Sequence, residues 1–128
     1  MTNSPSVSRI AVADDDPESL ELLVDFLRSP TAEIHQAANG SELVDLLATR
    51  GPFDLIVTDV DMPCMEGLSV ISSARKADIL TPVVVVTGLA RGDLEQTIAG
   101  LGNAMLVRKP VALSSLRRAI VELRGGLP

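Results

Sequence analysis

The stretch "DLIVTDVDMPCMEG" (residues 54–67) sets an apolar run directly against a cluster of acids. The run itself, "FDLIVTD" from 53 to 59, is too short for a helix and rich in β-branched residues, as expected of a parallel strand covered on both faces. Two further runs read the same way, "PVVVVTG" (82–88) and "AMLVRK" (104–109). Upstream, "RIAVAD" (9–14) and "AEIHQA" (32–37) are strand-like as well. Helical patterns fill the gaps. "DPESLELLVDFLRS" offers Asp16 as a cap with Pro17 at the first helical position, and "NGSELVDLLATR" offers Asn39 with Glu42 three residues on. "GLSVISSARKA" is a third, Leu94, Ile98 and Leu101 mark a fourth, and Leu113, Leu116, Ile120 and Leu123 a fifth. Five strands alternating with five helices predict an α/β domain, and right-handed crossovers make it a doubly wound parallel sheet.

The chain has 128 residues, enough for one domain with a proper core, and 46% of them are hydrophobic. Phe26 and Phe53 are the only aromatics, so that core must be aliphatic. Seventeen acidic against eleven basic residues leave a net charge of −6, which argues against direct nucleic-acid binding and suits a protein that holds a cation. The lone Cys64 excludes an internal disulfide. No run approaches the roughly 18 apolar residues of a membrane span, and "MTNSPSVSR" lacks a signal-peptide core, so a cytoplasmic location is expected. The Met1 start and polar lead-in are read as a natural amino terminus. A lead at 1–7, a domain at 8–124 and a tail at 125–128 are the expected divisions.

In an open α/β sheet the functional crevice lies beyond the carboxyl ends of the strands. The first run ends in Asp14, Asp15 and Asp16, the third in Asp59 and then Asp61, the fourth in Thr87 and Gly88, and the fifth in Lys109 and Pro110. Crowded carboxylates repel unless a counter-charge joins them. A hard divalent cation such as Mg²⁺ supplies it while keeping room for an incoming phosphate. Lys109 and the Thr87 hydroxyl would then donate to a phosphoryl group carried by one carboxylate. The pattern predicts a phosphoryl-transfer site that works by positioning and charge neutralisation.

From about residue 8 to 124 the chain resembles the receiver domains of two-component response regulators, phosphoacceptor modules of flavodoxin-like topology. The resemblance rests on the acidic pair Asp14 and Asp15 in "VADDDP", on Asp59 in "DLIVTDVDMPCMEG", on Thr87 in "VVVVTG" and on Lys109 with Pro110 in "MLVRKP". It implies the strand order 2-1-3-4-5. It implies that Asp59 takes a phosphoryl group from a sensor histidine kinase or a histidine phosphotransfer protein. Asp15 and Asp59 would ligate Mg²⁺ directly, Asp14 through water and Asp61 through its backbone carbonyl. Lys109 would hold a phosphoryl oxygen next to a cis bond to Pro110. Thr87 would move toward the phosphoryl group and bias the surface of the fourth helix, fifth strand and fifth helix, which a downstream protein, an output domain or a second copy reads. Such a module is not an enzyme in its own right, and neither nucleic acid nor membrane is an expected partner.

Departures from the family pattern are specific. Leu106 stands where an aromatic residue usually reports the Thr movement, Cys64 where glycine is common, and Gly88 where alanine is frequent. Ala112 is a poor cap for the last helix. Asp61 and Leu89 are the positions that, by resemblance, tune the lifetime of the acyl phosphate. Asp16 reads as a helix cap in preference to a ligand, and His35 as structural. Two rival functions remain. A docking module that keeps the fold without phosphorylation is favoured by Leu106 and opposed by the intact set of Asp14, Asp15, Asp59, Thr87 and Lys109. A phosphatase of the haloacid-dehalogenase type would use the D-x-D of Asp59 and Asp61, but Met62 replaces the small hydroxyl residue expected next and no cap domain follows.

Overall fold

The computed structural model describes residues 8–62, 66–88 and 92–124. Cys64, Leu89, the 1–7 lead and the 125–128 tail lie outside the described residues. The strands are β1 (Ser8–Ala13), β2 (Ala32–Ala37), β3 (Leu55–Asp59), β4 (Val83–Thr87) and β5 (Ala104–Arg108). The helices are α1 (Pro17–Leu27), α2 (Gly40–Thr49), α3 (Gly67–Lys76), α4 (Leu94–Leu101) and α5 (Leu113–Leu123). All strand pairings are parallel and the order is β2-β1-β3-β4-β5, the doubly wound flavodoxin-like arrangement expected.

Alternation along the strands sorts the aliphatic residues into two layers. On one face Ala11, Ala13, Ile56, Val83 and Val85 pack with Leu43 of α2, Ile71 of α3, and Leu94 and Ile98 of α4. On the other, Ile10, Val12, Leu55, Val57, Val84, Val86 and Val107 pack with Leu23 of α1 and Leu116 and Ala119 of α5. Each fully buried aliphatic side chain contributes about 1.5–3 kcal/mol, so β3 and β4, buried at every position, form the centre of the domain. Leu113 departs from the predicted stripe and is exposed in the first turn of α5.

Local signals act where the sequence placed them. Asp16 caps α1 by accepting from the Ser19 N–H at 3.1 Å. Asn39 caps α2 by accepting from the Glu42 N–H at 2.9 Å. Glu42 reaches one residue further back than in a standard capping box and accepts from the Ala38 N–H at 2.8 Å. Ala112, at the N-cap of α5, makes no side-chain cap bond. His35 is bound to Glu33, with Nε2 2.6 Å from Oε2, and meets the Phe53 ring edge-on.

Strands β3, β4 and β5 are shorter than their apolar runs, while β2 spans its run and β1 keeps its length one residue earlier. Strand β3 begins at Leu55 because Asp54 turns its carboxylate onto the Arg9 N–H at 2.7 Å. At the other end, Asp14 and Lys109 fall one residue beyond β1 and β5, and this frees their side chains to turn into the crevice.

Candidate functional site

Strand order reverses at β1, whose neighbours are β2 on one side and β3 on the other. Parallel register sets Ala13 beside Thr58, so the residues that follow, Asp14 and Asp59, emerge together at this switch point. Both are buried, with side chains 0% and 9% exposed. Lys109 arrives from the end of β5, and its Nζ donates to Asp14 Oδ2 and to Asp59 Oδ2, each at 3.0 Å. The remaining oxygens are also engaged. Asp14 Oδ1 accepts from the Asp16 N–H at 2.9 Å, and Asp59 Oδ1 accepts from the N–H groups of Val60 at 2.6 Å and Asp61 at 3.4 Å.

Burial pushes the Asp14 carboxyl above its ordinary range, and the Asp59 charge adds to the rise. The hydrogen bonds from Asp16 and Lys109 only partly oppose it. For Lys109, burial works against the ammonium, but the bonds to Asp14 and Asp59 outweigh it and hold the group above its usual value. Lys109 therefore stays charged and Asp14 is short of counter-charge.

That shortage bears on a metal. Carboxylate oxygens of Asp14, Asp15 and Asp59 lie within 4.8 Å of one another, with Asp15 exposed and the other two buried. Three carboxylates face one ammonium. The donors are all hard oxygens and one side of the group opens to solvent through Asp15, so the set can hold a divalent cation of the magnesium or calcium kind. Asp16 is not part of this group, since its carboxylate is committed to the backbone and hydroxyl of Ser19.

The other predicted residues are placed as follows. Thr87 ends β4, is fully buried, and accepts from the Lys109 N–H through its carbonyl at 2.9 Å. The Lys109–Pro110 bond is cis. The Asp61 side chain is exposed, and its backbone N–H reaches Asp59. Leu106 lies half-buried in β5, well before the strand's end, and packs against the α2–α3–α4 layer. It lines an open groove of about 390 Å³ between α4 and β5, together with Glu95, Ile98, Met105 and Arg108.

The family model for the response regulator receiver domain matches residues 10–121. The chain belongs to that family. Among curated relatives, the receiver is 33% identical to the transcriptional regulatory protein PrrA of Mycobacterium leprae, covering 98% of this chain and 54% of PrrA. It is 34% identical to a protein-glutamate methylesterase/protein-glutamine glutaminase of Myxococcus xanthus, covering 90% of this chain and 33% of that protein. The receiver thus spans about half or less of these relatives, and the methylesterase name belongs to a protein of which the matching part is a third. Among solved structures, a CheY-like receiver domain protein from Methanospirillum hungatei superposes with a TM-score of 0.82 at 28% identity, covering 93% and 95% of the two chains. A Vibrio cholerae chemotaxis response regulator, CheY4, shares the fold with a TM-score of 0.79. Among the described residues, no helix is long and apolar enough to cross a membrane.

Two residues escaped the sequence reading. Gly67 opens α3 against the end of β3, where a Cβ would collide with the Asp59 carbonyl and come within 3.0 Å of Thr58 Oγ1. Its signal is a glycine at the first position of a helical pattern. Thr58 itself is a fully buried hydroxyl inside an otherwise apolar run, and that polarity was the clue.

Proposed function

We propose that this receiver is a phosphoacceptor switch in which Asp59 takes a phosphoryl group from a phosphohistidine donor, on a sensor kinase or a histidine phosphotransfer protein. The observation that carries the reading is the Lys109 ammonium bridging Asp14 and Asp59 at 3.0 Å each, beside a third carboxylate within 4.8 Å. An Asp59 oxygen attacks phosphorus, the P–N bond of the donor breaks, and its electron pair returns to the imidazole nitrogen. Lys109 is close enough to transfer its hydrogen bonds from carboxylate to phosphoryl oxygens as the bond forms. Asp14, Asp15 and Asp59 would hold Mg²⁺, joined by the Asp61 carbonyl. When bound, the ion neutralises charge on the carboxylates and the entering phosphoryl group.

The output follows from the position of Thr87. It ends a strand buried at every residue, with its backbone tied to Lys109, so a change at the phosphoryl site bears directly on the end of β4. The α4–β5–α5 surface, with the groove beside Leu106, is the face a downstream protein, an output domain or a second copy would read. Leu106 supplies contact area there without an aromatic ring to rotate. A small-molecule phosphodonor tests the reading: with Mg²⁺, intact mass should gain one phosphate that Asp59→Asn and metal chelation both abolish. No adduct while Mg²⁺ demonstrably binds would leave a docking module in place of a phosphoswitch.

A further inference from the structure

Thr58 is the residue before the acceptor, 0% exposed, and shares its strand face with Ile56 of the core. Its hydroxyl donates to the Asp59 carbonyl at 2.9 Å. The peptide unit that carries this carbonyl also carries the Val60 N–H, which donates to Asp59 Oδ1 at 2.6 Å. A peptide unit is planar, so a restraint on its carbonyl is a restraint on the direction of its N–H. The close approach of Gly67 boxes the same carbonyl from another side. Oδ1 is therefore tethered by backbone, and Oδ2 is the oxygen turned to Lys109.

We propose that Thr58 is a positioning residue for phosphoryl transfer. Its hydroxyl sets the 59–60 peptide plane, that plane anchors Oδ1, and Oδ2 is left as the oxygen that attacks phosphorus. With acetyl phosphate as donor, the Oδ2–P bond forms, the P–O bond to acetate breaks, and acetate leaves with the electron pair. Thr58 touches neither donor nor phosphorus and acts only through the acceptor's own backbone. The inference rests on Asp59 being the acceptor, and its test separates the two claims.

Wild type, Thr58→Ser and Thr58→Val are compared in two measurements. The first is the rate of Mg²⁺-dependent phosphorylation by acetyl phosphate. The second is the Val60 amide proton, by chemical shift and hydrogen exchange without donor. Loss of the hydroxyl should slow phosphorylation about tenfold, since misplacing a reacting group by ~1 Å costs up to ~100-fold. The Val60 amide should move upfield and exchange faster, and Ser should restore both. Should the valine variant fail to fold, Thr58→Ala removes the hydroxyl without the added methyl and carries the same comparison. A folded variant that phosphorylates within twofold of wild type overturns the proposal, whatever the amide does. Wild type that takes no phosphate sinks the acceptor reading instead, and an unchanged Val60 amide in the variant then overturns the positioning claim independently.

Discussion

Replacing Asp14 with Asn should stabilise the metal-free protein at neutral pH. The side chain is fully buried, and its carboxylate lies within 4.8 Å of that of Asp59. At an effective dielectric near 20 two like charges at that separation repel by about 3.5 kcal/mol. Lys109 at 3.0 Å attracts Asp14 by about 5.5 kcal/mol on the same scale, but it is shared with Asp59, and burying the charge costs several kcal/mol more. The raised Asp14 carboxyl shows which side of this balance wins: the ionised form is less favourable in the folded protein than in the unfolded chain. The sign follows by linkage. A raised carboxyl contributes stability that is fully present below its ordinary 3.8 and lost as pH rises through the folded value. Wild type loses it as pH rises, whereas Asn has no proton to lose and keeps a carbonyl oxygen for Lys109 or the Asp16 N–H. We expect Asp14→Asn to be more stable than wild type by about 1–2 kcal/mol in urea unfolding at pH 7 with a chelator, given opposing contributions of that size. The gap should close near pH 3. Added Mg²⁺ should stabilise wild type by RT ln(1 + [Mg²⁺]/Kd) and the variant much less. A variant less stable than wild type by more than ~1 kcal/mol in the chelator, with an unchanged denaturant slope, would refute the electrostatic reasoning.

Three further perturbations test the frame around the site. Gly67→Ala should cost about 2–3 kcal/mol in urea unfolding, because the new methyl meets the Asp59 carbonyl and the backbone must shift; a loss under ~0.5 kcal/mol would show the loop to be compliant. Arg75→Ala should cost about 3 kcal/mol and speed amide exchange at the C-terminal end of α4, since the guanidinium donates to the carbonyls of Ile79, Thr81, Leu101, Gly102 and Asn103. Exchange that is unchanged there would count against Arg75 as the tie between these segments. Ala112→Ser should raise the urea midpoint by about 1 kcal/mol of stability through a new cap on α5, with no effect on phosphorylation.

The fold was legible because its aliphatic runs have only one home. Runs such as "VVVVT", β-branched and without polar alternation, fit a central strand buried on both faces, and their order along the chain, broken by capped helices, leaves few topologies. The residues of the site were legible for a related reason: charge at the end of a buried strand must have a purpose or a partner. What the sequence concealed were contacts made by backbone. Nothing in "LIVTD" says that the threonine hydroxyl grips the next residue's carbonyl, and nothing in "SARKAD" says that Arg75 will span two loops. Burial pushes the Arg75 guanidinium down, and backbone carbonyls take its donors. The β2 run matches its strand residue for residue, whereas β3 starts two residues inside its run, where the bond from the Arg9 N–H to the Asp54 carboxylate lies.

The two ends of the sheet are built on opposite electrostatic principles, and the contrast bears on how a switch would work. At the end away from the crevice, one cation is matched to several carbonyl dipoles, two of them on the positive-φ residues Gly102 and Asn103. Asn103 adds its own bond to the Leu80 carbonyl at 2.8 Å, so the end of α3, the entry to β4 and the turn into β5 form one tied unit. At the crevice, three carboxylates are matched to a single ammonium, and burial, with the Asp59 charge adding to it, raises the Asp14 carboxyl. A ligand shifts a conformational equilibrium only by as much as it prefers one state. On the proposed reading, the preference of a cation or a phosphoryl group would be concentrated where charge is unbalanced. Movement would then, on that reading, be cheapest at the crevice end of β4, with the Arg75 tie as the fixed end.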